Sequence, residues 1–131
     1  AARTAERHAA GVLPTMCGAI GEHALGRIGA LEARAQAIGA GKREVVDAFM
    51  ARQPRLAWTP PPARALFGFV RTSGIDVDAA LARALREHGL AVVPGSYFGE
   101  PDGFRLSWAS LPPDRLAAAL ELLESALGCR A

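Results

Sequence analysis

Apolar residues recur along this chain with two different periods, and the changes of period divide it into elements. From about His23 the spacing is helical: Leu25, Ile28, Leu31, Ala35 and Ile38 fall three and four apart, with Arg27, Glu32 and Arg34 on other faces. Gly39 and Gly41 each cost about 1 kcal/mol relative to alanine in a helix interior, so a bend is expected there. The pattern resumes with Val45 and Phe49, and with Val46 and Met50, pairs that share one side of a segment ending before Pro54. The expectation is a long connecting helix over 23–53, bent near Gly39 and Gly41 or broken there into two, which the sequence leaves open. Residues 1–22 are only weakly periodic and read as an arm or connection, in which Gly11, Pro14, Gly18 and Gly21 break any long helix into short pieces.

Beyond residue 54 the period shortens. Residues 55–58 are a short strand candidate, ended by Thr59 and three prolines that cannot donate ladder hydrogen bonds. LFGFVRT, residues 66–72, is a stronger strand because aromatic and branched side chains suit a pleated surface. Ser73-Gly74 turns the chain, Asp76 stands where a helix N-cap belongs, Leu81 and Leu85 mark a buried stripe, and Gly89 sits at the C-cap. LAVV at 90–93 is an apolar run closed by Pro94 and Gly95, and FRLSWA at 104–109 is a further strand, with a loop over 96–103 between them. Pro112, Pro113 and Asp114 suit a helix entrance. Leu116, Leu120, Leu123 and Leu127 follow four, three and four apart, and Gly128 ends the run. This order predicts an α+β domain over 54–131, a small, mostly antiparallel sheet covered by helices, behind the long bent N-terminal helix.

Composition narrows the class. A chain of 131 residues that is 50% hydrophobic can bury one ordinary core. A formal charge of +2, with arginines scattered rather than gathered in a stripe, argues against a dedicated nucleic-acid partner. Cys17 and Cys129 lack a CxxC partner, so they signal neither zinc nor a redox pair and fit structural thiols in a reducing compartment. No apolar run approaches the roughly 20 residues of a membrane span, and the N-terminal residues lack a signal peptide's apolar segment, so a cytoplasmic location without membrane contact is expected. The chain starts without methionine and in mid-pattern, which suggests a piece of something longer.

Charge inside an apolar strand is the one chemical oddity. Alternation through FRLSW places Arg105, Ser107 and Ala109 on one face and the bulky residues on the other. A guanidinium is a permanently charged, planar fork that matches a carboxylate in two parallel hydrogen bonds. Pattern alone slightly favours the plainer alternative, an arginine on the solvent face of the sheet. His8, His23 and His88 show no metal-ligand spacing and fit capping or surface roles. Ser96, Tyr97 and Phe98 lie between Gly95 and Gly99 without a base in a recognisable motif, so a nucleophilic serine is not expected. No glycine-rich phosphate loop followed by lysine occurs.

Three motifs in order give the chain a family resemblance: LFGFVR at 66–71, GLAVVPGSYFG at 89–99, and FRLSWASLPPDRL at 104–116 with the helix after it. Together they resemble the C-terminal, small domain of the class I and II aminotransferases, the fold-type I pyridoxal-phosphate enzymes, over residues 66–126, with a weaker likeness back to about residue 1. The resemblance implies that Arg105 binds the α-carboxylate of the substrate, reversing the preference from pattern alone. It places Ser96, Tyr97 and Phe98 near the mouth of the active site, and it sets Thr15 and Met16 in the stretch that reaches toward the partner subunit in family dimers. It implies pyridoxal 5'-phosphate as cofactor, amino-acid and 2-oxo-acid substrates, and a homodimer when full-length. Cofactor contacts and the cofactor-binding lysine belong to a large domain preceding this segment. Lys42, the sole lysine, sits beside Arg43 and Glu44 without the surroundings of that residue and reads as an exposed lysine in mid-helix. The segment by itself is therefore expected to bind substrate without catalysing. The chain departs from the family pattern at Ala63-Arg64-Ala65, where many relatives have a glycine before the strand. Two other readings stay open: a decarboxylase, lyase or synthase on the same fold, and a stand-alone α+β interaction module using the apolar faces of the helices that start at His23 and Asp114.

Overall fold

The computed structural model describes residues 14–128. The chain divides into two units, Ala1–Ala35 and Gln36–Ala131. Helix α1 (Thr15–Leu25) lies in the first, and α2 (Ile28–Gly39) begins there. Gly18 and Gly21 do not interrupt α1, contrary to expectation; the chain breaks instead at Gly26-Arg27, where the Arg27 amide bonds the Ala24 carbonyl at 3.0 Å in a tightened last turn. Neither helix buries a residue, and Leu25, Ile28 and Leu31 are exposed.

In the second unit Ala40-Gly41 separates α2 from α3 (Lys42–Ala51), with Gly41 in the left-handed region at φ 70°. A residue with a Cβ is strained there, so the second glycine ends one helix and starts the next. The stretch from His23 is thus not one bent helix: it is broken at Ala40-Gly41, where a bend or break is expected, and also at Gly26-Arg27, where none is. Lys42 is corrected with it. It is the first residue of α3 rather than a mid-helix one, and it is buried, its Nζ donating to the Ala109 carbonyl at 2.7 Å.

The rest of the second unit is the expected α+β layer. Strands β1 (Leu56–Trp58), β2 (Phe67–Thr72), β3 (Val93–Pro94) and β4 (Gly103–Ser107) form one sheet in the order β1-β2-β4-β3, and all three pairings are antiparallel. Helix α4 (Val77–His88) separates β2 from β3, and α5 (Pro113–Leu127) closes the unit. The Asp76 side chain caps α4 by accepting from the Ala79 amide at 3.1 Å, as its position predicted. The edge strand β3 is only two residues long, which lets Pro94 pair without leaving a central ladder gap.

One face of this sheet is covered. Leu56, Val70, Phe104, Leu106 and the following Trp108 pack with Val46, Phe49 and Met50 of α3, Val77 and Leu81 of α4, and Leu116, Leu120, Leu123 and Leu127 of α5. Leu85 is an exception to the predicted stripe, being exposed beside a groove of about 450 Å³ between α4 and β3. Trp108 locks β4 to the segment before β2: its indole N–H donates to the Ala65 carbonyl at 3.1 Å and its ring meets Trp58 edge-on. That segment turns through the Ala65 amide bonding the Pro62 carbonyl, with no non-glycine residue at positive φ among those described. The backbone at Ala63-Arg64-Ala65 therefore needs no glycine.

Candidate functional site

The other face of the sheet is open, and β4 puts Arg105 at its centre. The burial pattern along β4 alternates as the sequence predicted, with Phe104 and Leu106 inside and Arg105 and Ser107 outside. Arg105 pairs with Phe69 of β2 on one side and Val93 of β3 on the other. Since side chains two apart share a face, β2 contributes Phe67, Phe69 and Arg71 to the same surface. Arg105 Cζ lies 5.9 Å from the centre of the Phe67 ring and 5.8 Å from that of Phe98. Phe98 also meets Phe69 edge-on, ring centres 6.3 Å apart.

The two arginines of this face differ in their partners. Arg71 is paired with Glu100 at 3.2 Å. The Arg105 side chain makes no hydrogen bond or ion pair among the described residues, only its ring contacts. Its guanidinium therefore keeps a full set of donors facing outward, the chemical requirement for holding a carboxylate. A cavity of about 110 Å³ beside β4 is lined by Leu90, Val92, Leu106, Leu111, Leu116 and Leu120 as well as Arg105 and Ser107; its α5 leucines belong to the covered side of the sheet.

The loop residues sort differently. Gly95–Phe98 is a single 3₁₀ turn closed by the Glu100 amide on the Gly95 carbonyl at 2.9 Å. Phe98 reaches Arg105, whereas Ser96 is turned to α4, its hydroxyl donating to Asp78 Oδ1 at 2.9 Å. Tyr97 is 80% exposed and lines the α4 groove. Thr15 and Met16 open α1 in the first unit, both exposed. Phe67 and Phe69 were missed from sequence. Their alternation with Arg71 was visible, but only the β2–β4 register brings them to Arg105.

Covalent attachment of an aldehyde cofactor needs an accessible amine, and Lys42 does not offer one. Mixing this chain with pyridoxal phosphate, reducing with borohydride and mapping peptides by mass spectrometry is expected to give no specific Lys42 adduct; a stoichiometric adduct there would contradict this. His23 and His88 are exposed, His8 and Cys129 lie outside the described residues, and Cys17 is an exposed free thiol. Among the described residues no helix is long and apolar enough to cross a membrane, and no group of three or more His, Cys, Asp or Glu side chains could hold a metal ion.

Residues 4–123 match the family described as aminotransferase class I and II. Among solved structures, the chain is similar to a pyridoxal-phosphate-dependent aminotransferase from Streptococcus suis, with TM-score 0.68 and 24% identity over 80% of this chain and 28% of that one. An α-aminoadipate aminotransferase from Thermus thermophilus gives TM-score 0.66 and 23% identity over 83% of this chain and 29% of that one. An aspartate aminotransferase from Thermotoga maritima gives TM-score 0.56 and 32% identity over 71% of this chain and 24% of that one. The first two likenesses concern the fold alone, and in every case the chain spans less than a third of its neighbour. No curated protein matches it significantly.

Proposed function

This chain belongs to the class I and II aminotransferases, and from that membership we propose that it is the substrate-binding small domain of a pyridoxal-phosphate-dependent aminotransferase. Arg105 anchors the α-carboxylate of the amino-acid or 2-oxo-acid substrate. The observation that carries this reading is the unpaired guanidinium at the centre of the open sheet face, steadied by aromatic rings that take none of its donors. A carboxylate held in two hydrogen bonds loses most of its rotational freedom, so the anchor's contribution is to orient the α-carbon toward the reacting groups.

The residues of this chain do not fit a covalent seat for the cofactor. The reading therefore assigns cofactor and catalytic lysine to a large domain outside it, with the chain alone inactive. Thr15 and Met16 contact the partner subunit in a cytoplasmic homodimer of the full-length protein. Family membership does not choose which bond of the amino acid breaks, so product analysis is the decisive test. Full-length protein given an amino acid and a 2-oxo acid should return the exchanged pair. Release of carbon dioxide or of ammonia, or a product that keeps its amino group, would instead select a decarboxylase, lyase or synthase.

A further inference from the structure

We infer that Phe98, together with Phe67, is a positioning residue that holds the Arg105 guanidinium in its carboxylate-binding pose; this rests on the proposed anchor role of Arg105. An arginine on an exposed strand position has many rotamers, and a flexible anchor must be ordered anew each time a ligand binds. Here the two rings stand on opposite flanks of β4. Phe67 comes from β2, and Phe98 comes from the turn that follows β3, the strand on the other side. Both lie within cation–π reach of Cζ. A π-face attracts the charge without consuming N–H groups as a carboxylate or carbonyl would, so the cation is held while its fork stays free.

Phe98 is itself fixed. Its turn starts at buried Gly95 and ends at Gly99, whose φ of 76° reverses the chain. The Ser96 hydroxyl ties the turn to α4 through Asp78, and the neighbouring Glu100 is paired with Arg71. The ring also meets Phe69 edge-on, with ring centres 6.3 Å apart. A displacement of the turn would therefore withdraw a ring from Arg105, which makes the turn part of the anchor.

The test uses full-length holoenzyme and the best substrate from L-alanine, L-leucine, L-glutamate and L-phenylalanine, alongside the amine that lacks its carboxyl group. Phe98→Leu keeps the apolar volume and removes the π-face. It is expected to raise the half-saturating amino-acid concentration roughly 3- to 10-fold, to leave the amine reaction unchanged, and to be rescued by Phe98→Tyr. Phe67→Leu should show the same split. Equal effects on amino acid and amine, or no effect of either leucine variant while Arg105→Ala abolishes discrimination between the two substrates, overturns the positioning role and leaves the anchor standing. If Arg105→Ala itself preserves that discrimination, the anchor reading fails and the positioning role with it.

Discussion

Arg105→Ala in the full-length enzyme is expected to lower kcat/KM for an amino-acid substrate by roughly 10²- to 10³-fold, because two charge-assisted hydrogen bonds are lost together, about 3–4 kcal/mol in all. Stability should change far less. The side chain is exposed and makes no hydrogen bond within the described residues, so its removal forfeits only the two ring contacts and is expected to lower unfolding stability by about 1 kcal/mol. Arg105→Lys separates charge from shape: a point charge replaces the planar fork, and activity should fall between the two. Steady-state kinetics with a parallel urea titration reads both effects. Normal kinetics in Arg105→Ala, or a loss explained by unfolding, would remove the basis for the anchor.

Gly95→Ala is expected to destabilise the fold by about 3 kcal/mol or more, at the upper end of what overpacking costs. A Cβ at this buried position would lie 2.5 Å from the Gly103 carbonyl oxygen and 2.8 Å from its carbon, and closer still to the Glu100 carbonyl. Those neighbours are backbone, so no side chain can swing away. Relief requires moving either the turn that carries Phe98 or the start of β4, which carries Arg105 two residues on. A urea midpoint within about 0.5 kcal/mol of wild type would show that the backbone yields more easily than this close packing implies.

Much of the second unit was legible because its signals are local. Four leucines of α5 face the core at the spacing read from sequence, Asp76 caps α4, and β4 alternates around Arg105. The illegible parts depend on distant partners. Lys42 was read as exposed because its neighbours are charged, but the carbonyl that receives its amine belongs to Ala109, 67 residues away. The helical pattern from His23 carried no sign of the break at Gly26-Arg27, and glycines 18 and 21, which suggested breaks, are tolerated inside α1. Leu85 obeys the period of α4 yet faces a groove rather than the core.

The candidate site shows the same division. Alternation identified the face on which Arg105 lies, and the family motifs gave it a role, but its surroundings could not be read along the chain. Phe67 and Phe98 are separated by a turn, a helix and an edge strand, and they converge on Arg105 because the sheet order places β4 between β2 and β3.

The most direct measurement is a crystal structure of the full-length holoenzyme with a bound amino-acid or 2-oxo-acid ligand. The account predicts the ligand's α-carboxylate on Arg105, both oxygens about 2.7–2.9 Å from guanidinium nitrogens. A carboxylate bound elsewhere, with Arg105 left facing solvent, would contradict it.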